Sequence, residues 1–150
     1  MRQFFGMSQS GNLQEAVRGL DNPQLIMLLS NSGQFEDHVK KLEELYPRIP
    51  SIGCIGMSYD TKVVEKGVSV VAFYDVYAAA NVLEEVSVMP VKYIERLEQD
   101  VRQINGSGND TICIDFCSGN DACVLTTIHG VLKHRGISLV GGTGDAGKVS

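Results

Sequence analysis

Apolar residues run unbroken from Leu25 to Leu29, and the polar triplet Asn31-Ser32-Gly33 ends the run soon afterwards. Without alternation, such a stretch suits a strand covered on both faces in a parallel or mixed sheet. Phe35, Val39, Leu42 and Leu45 then recur at helical spacing among charged residues, predicting a helix over 35–45 that Pro47 prevents from continuing. Pro50-Ser51-Ile52-Gly53 begins the next strand, with a turn from Cys54. The same order returns late in the chain, where Thr111 to Cys117 reads as a strand, a helix follows, and Ile137-Ser138-Leu139-Val140 opens into a glycine turn at Gly141. Each stretch predicts a strand-helix-strand unit with its glycine turn at the carboxyl end of the strands, where open sheets bind ligands. On this reading the two turns can face one cleft, although any two such units look alike at this level.

The remaining segments complete the pattern. Arg2 to Met7 reads as a first strand, and Asn12 to Leu20 as a helix capped by Ser10 or Asn12, with Leu13, Ala16, Val17 and Leu20 on one face. Val68 to Phe73 and Val76 to Val88 read as an antiparallel hairpin, with Ala78-Ala79-Ala80-Asn81 as an alternative helix start. Pro90 opens a helix to about Gln103 that carries Val91, Ile94, Leu97 and Val101 at helical spacing. The expected fold is therefore α/β (or α+β): a mixed sheet with two β-α-β units, a central antiparallel hairpin, and helices packed on the sheet.

Composition narrows the function classes. With 150 residues, 43% of them hydrophobic, the chain suits one domain with a substantial core. Thirteen basic residues against eighteen acidic ones give a net charge of -5, which argues against a nucleic-acid partner. The longest apolar runs fall well short of the roughly 20 residues that span a bilayer, and polar Ser8-Gln9-Ser10 interrupts any signal-peptide core. No membrane insertion is expected, and a cytoplasmic location is. In that compartment Cys54, Cys113, Cys117 and Cys123 are expected to be reduced, and their spacing lacks the paired pattern of a zinc site.

Several residues are candidates for chemistry or binding. Gly141 to Lys148 contains the GxxxxGK form of a phosphate loop, but Val149 stands where a magnesium-binding hydroxyl belongs. The stretch reads as a binding turn, whose freed backbone amides can approach an anion, or as a plain connection. Cys54, between Gly53 and Ile55, can line a pocket or simply fill a strand end, and no base beside it marks it as a nucleophile. Asp115 interrupts an apolar strand, so it is paired, near an exposed end, or turned toward a ligand's ammonium group. His38 and His134 sit among charged neighbours, and His129 lies at the edge of an apolar face.

In chain order these segments resemble the FIST domain, a sensory module of intracellular signalling proteins. Pro23-Gln24-Leu25-Ile26-Met27-Leu28-Leu29-Ser30 is similar to its early strand ending in serine, and Ile49-Pro50-Ser51-Ile52-Gly53-Cys54 to its signature strand into a Gly-Cys turn. Gly67-Val68-Ser69-Val70-Val71 resembles the strand after that signature, and Val140-Gly141-Gly142-Thr143-Gly144-Asp145 resembles a later Gly-Gly-x-x-x-Asp-like turn. Family members commonly follow Gly-Cys with a small hydroxyl residue, where this chain has Ile55, so a contact made by that hydroxyl has no counterpart here. The resemblance implies a sensor of small ligands such as amino acids, coupled to a signalling output module or partner protein. It also implies that the chain is the amino-terminal part of a longer sensor. Ser30, Gly53, Cys54, Asp115, Gly141, Gly142 and Asp145 are the expected ligand-binding residues, with no catalytic residue, metal or cofactor. The rival readings are a nucleotide-binding protein or small hydrolase using the last loop, and an interaction scaffold whose hairpin edge pairs a partner strand.

Overall fold

The computed structural model describes residues 1–144 apart from 32, 57, 61, 65, 85, 87, 119 and 120; the side chains of 58–60, 62–64 and 121 also lie outside the described set. The chain divides into two compact units, Met1–Ala80 together with Gly144, and Asn81–Thr143.

In the first unit, β1 (Arg2–Ser8), β2 (Leu25–Ser30), β3 (Ser51–Ile55) and β6 (Val68–Tyr74) form one mixed sheet in the order β1-β6-β2-β3. β6 is antiparallel to both β1 and β2, whereas β2 and β3 are parallel and joined by α2 (Phe35–Leu45). The central antiparallel hairpin is β4 (Ser58–Asp60) with β5 (Lys62–Val64). It is not the pairing of 68–73 with 76–88: the described residues between Val76 and Val88 form no strand, and β6 finds its partners in β1 and β2 instead.

The helices cover one face of this sheet. Ile26, Leu28, Val68, Val70 and Ala72 pack with Leu13, Ala16, Val17, Leu20 and Leu42. α1 spans only Leu13–Ala16, and the Asn12 side chain caps it by accepting from the Gln14 amide. It lies so close to β1 that a Cβ at Gly6 would collide with the Ala16 carbonyl oxygen. The inner stripe of α2 is Phe35, His38 and Leu42, with Val39 half-buried and Leu45 exposed.

In the second unit, β7 (Ile112–Cys117) and β8 (Ser138–Thr143) are parallel and connected by α4 (Asp121–Leu132) and a short 3₁₀ turn at Lys133–Arg135. α3 (Val91–Gln103) precedes them. The core consists of Val101, Ile128, Leu132 and Ile137, with Leu97, Cys113, Val124 and Leu139 packed around it. Tyr93, not Val91, occupies the buried position in the first turn of α3, and Val91 is 76% exposed. Both expected β-α-β units are thus present, each with parallel strands in its own sheet.

Candidate functional site

Sheet register brings four chain segments to one end of the first sheet. Ser8 is opposite Val68, Val68 is opposite Ser30, and Ser30 is opposite Ile55. The carboxyl ends of β1, β2 and β3 therefore meet the start of β6, where parallel strands leave the crevice that α/β sheets use for ligands.

A polar network closes this end. Ser8 Oγ donates to Glu15 Oε2 at 2.7 Å, lies 3.0 Å from Ser10 Oγ, and accepts from the Asn12 amide at 3.0 Å. The loop then places the carbonyl of Gly11, whose φ of +78° suits glycine, 2.8 Å from His38 Nε2. A carbonyl only accepts, so Nε2–H donates to it, while Nδ1 lies 2.6 Å from the Ser30 hydroxyl, which also reaches the Asn31 carbonyl at 3.3 Å. Ser30 and His38 are buried. The backbone joins the same end through Asn31 N–H to Gly67 O at 3.3 Å and Gly56 N–H to Ser30 O at 3.0 Å.

Of the residues expected from sequence, Ser30, Gly53 and Cys54 fall in this unit, but not on one surface. Gly53 and Cys54 are the third and fourth residues of β3, not a turn, because the strand continues to Ile55. Side chains alternate along a strand, so Gly53, paired with Leu28, shares the helix-covered face with Ser30. Cys54, paired with Leu29, belongs to the opposite face. There Met7, Ser69, Leu29 and Cys54 form one row across all four strands. Burial pushes the Cys54 thiol pKa up, which suppresses the reactive thiolate.

Sequence reasoning missed two residues that this geometry brings forward. His38 follows Phe35 by three positions and precedes Leu42 by four, which is the spacing of an inward stripe despite its charged neighbours. Ser69 is only 4% exposed, and its hydroxyl is the one buried side-chain polar atom without a hydrogen-bond partner among the described residues. Nothing local in the sequence marks it. An orphaned buried hydroxyl costs about 1–3 kcal/mol, so its retention calls for an explanation.

The second unit holds Asp115, Gly141 and Gly142. Gly141 pairs with Asp115 and Gly142 with Phe116, so both glycines lie within β8 rather than in the expected turn. The physical reason is close backbone approach: a Cβ at Gly141 would collide with the Asp115 carbonyl oxygen. Asp115 accepts a hydrogen bond from the Cys117 thiol at 2.6 Å. Burial, and secondarily the Asp115 charge, pushes the Cys113 thiol up to about 11. Asp145 and the second half of the GxxxxGK segment lie outside the described residues.

Among the described residues no group of three His, Cys, Asp or Glu side chains is arranged to hold a metal ion, and no helix is long and apolar enough to cross a membrane. No curated protein and no solved structure matches the chain. The model of the FIST N domain does match, over residues 24–150, a span that runs from the residue before β2 through β8 and includes both parallel β-α-β units. The chain therefore belongs to the FIST N domain family, whose members are predicted sensory domains of signalling proteins.

Proposed function

We propose that this chain is the ligand-sensing part of a cytoplasmic signalling protein, which binds a small polar metabolite such as an amino acid and passes its occupancy to an output module or partner protein. The observation that carries the reading is the family match across both β-α-β units. Sensing requires only that the ligand bind one conformation more tightly than another.

The site chemistry supports binding over catalysis. The Ser30–His38 pair has the composition of a nucleophile and base, but neither side chain reaches solvent and the second ring nitrogen is tied to Gly11. A working dyad needs its hydroxyl open to substrate. The Cys54 thiol is equally enclosed, and its raised pKa disfavours the nucleophilic form. The nucleotide reading draws no support from Gly141, Gly142 and Thr143, which are extended in β8 and engaged with β7.

A thermal-shift screen of the 150-residue chain against the protein amino acids, and against ATP with magnesium, tests the proposal. Stabilisation by at least one amino acid is expected, because binding to the native state raises stability by mass action. A shift with ATP and magnesium alone would overturn it in favour of a nucleotide-binding protein.

A further inference from the structure

We infer that the cleft between α3 and α4 in the second unit binds an aliphatic carboxylate, whose head is held by Arg135 and His134 and whose chain lies along Val91, Ile94 and Val131 over Gly130. The site goes beyond the sensor reading and does not depend on it. It lies wholly within Asn81–Thr143, and its ligand has one anionic head and no ammonium group.

The cleft has room for such a molecule. Its volume is about 580 Å³, inside the roughly 300–1,000 Å³ range of small-molecule sites. Val91 and Ile94 line it from α3, and Gly130 and Val131 from α4. The turn of α3 that buries Tyr93 leaves Val91 76% exposed. Thr126 and Thr127 also line the cleft, but their hydroxyls turn back onto the Ala122 and Cys123 carbonyls of their own helix, at 2.6 and 2.9 Å. The wall formed by α4 is therefore largely aliphatic.

Gly130 is a residue that the fold itself does not require. A Cβ at Gly6, Gly108 or Gly141 would collide with backbone, whereas one at Gly130 meets no atom within 4 Å. The helix runs on past it to Leu132, and glycine inside a helix weakens it relative to alanine or leucine. No contact within the chain needs the missing side chain, and the space it leaves belongs to the cleft.

The ligand class follows from the charged lining, which is Glu98, His134 and Arg135. Glu98 is met by Arg102 on its own helix at 3.4 Å, whereas among the described residues no carboxylate pairs with Arg135 or His134. Cations beyond a helix's carboxyl end also ease its dipole, so charge alone would assign no ligand; unpaired cations beside an open aliphatic wall do. A guanidinium fork matches a carboxylate through two parallel hydrogen bonds, and the aliphatic wall selects a carbon chain without a second charge.

Amide NMR of the 150-residue chain titrated with sodium octanoate, octylammonium chloride and sodium acetate tests the inference, with Arg135→Ala and Gly130→Leu as variants. Octanoate should give saturable shifts at Ile94, Gly130, Val131 and Arg135, with octylammonium and acetate at least about tenfold weaker. Arg135→Ala keeps the backbone carbonyl that accepts from the Gly108 amide at 2.9 Å, and should weaken octanoate binding at least about fivefold. Gly130→Leu should fill the cleft, abolish the octanoate shifts and raise the unliganded Tm by about 3 °C, since leucine is the better helix former. Octylammonium binding as tight as octanoate, wild-type affinity in either variant, or no saturable shift with octanoate overturns the site. A lowered Tm in Gly130→Leu overturns it too, because the glycine would then be a packing requirement of the fold. Shifts at these residues that follow protein concentration and not octanoate would make the face an interface between copies, and the inference falls. None of these outcomes bears on the amino-acid screen, which tests the sensor reading by itself.

Discussion

Ser30 at the last position of β2 and His38 in the first turns of α2 share a buried 2.6 Å hydrogen bond, and through its other ring nitrogen His38 holds the Gly11 carbonyl at 2.8 Å. One imidazole thus ties three segments together: the end of a central strand, the crossover helix, and the loop between β1 and α1. His38→Leu should cost about 2–3 kcal/mol, because it orphans a buried carbonyl and removes the side-chain partner of a buried hydroxyl. Ser30→Ala should cost about 1–2 kcal/mol, and the double mutant should show a coupling of about 1 kcal/mol. Urea denaturation of the four proteins measures the cycle; additive effects would show that the two side chains do not act as a pair.

Thiol burial predicts an alkaline loss of stability. Cys113 is held protonated in the fold up to about pH 11, whereas an unfolded cysteine ionises near pH 8.5. Because its folded pKa is raised, its contribution is fully present below about pH 8.5 and is lost as the pH rises toward 11. The unfolding free energy of wild type from urea denaturation should therefore fall more steeply across that window than that of Cys113→Ala, by a difference of up to about 3 kcal/mol. Parallel curves for the two proteins would contradict the assignment.

The adjacent glycines of β8 should respond differently to the same change. Gly141→Ala drives a methyl group into the Asp115 carbonyl and should destabilise the chain by about 2–4 kcal/mol. At Gly142 a Cβ meets nothing within 4 Å, so Gly142→Ala should lie within about 0.5 kcal/mol of wild type. Denaturation midpoints of the two variants check the contrast.

The four thiols should separate by accessibility. Cys123 is exposed on α4, while Cys54 and Cys117 are each 5% exposed. A thiol-counting reagent applied to the native, reduced protein should modify Cys123 first and reach Cys54 and Cys117 only as the structure opens, because reactivity needs both access and thiolate. Peptide mapping after a short exposure identifies the modified residue.

Much of this architecture is legible in local pattern. α2 begins and ends at Phe35 and Leu45 as its periodicity predicts, and both parallel β-α-β units follow from apolar strands flanking a helix. What escapes local reading depends on partners distant in the chain. The residues 76–88 are apolar enough to suggest a strand, yet β6 pairs with β1 and β2, more than 35 positions earlier in sequence. Gly53 and Gly141 read as turns because glycine commonly ends strands; here both strands run on past them, and at Gly141 the bare backbone is needed for close approach to Asp115. Ser30 was visible at its strand end, but its histidine was concealed among charged neighbours. Ser69 becomes notable only when its cross-strand neighbours prove to be apolar.

The central claim, that this chain binds a small metabolite at the carboxyl end of its first sheet, is tested most directly by amide NMR of the isotope-labelled chain titrated with an aliphatic amino acid. The account predicts saturable shifts concentrated at Ser30, Asn31, Ile55, Gly56 and Ser69, the residues that the sheet register gathers at that end. Saturable shifts confined to β8 and produced by ATP with magnesium, or no saturable shift with any amino acid, would contradict it.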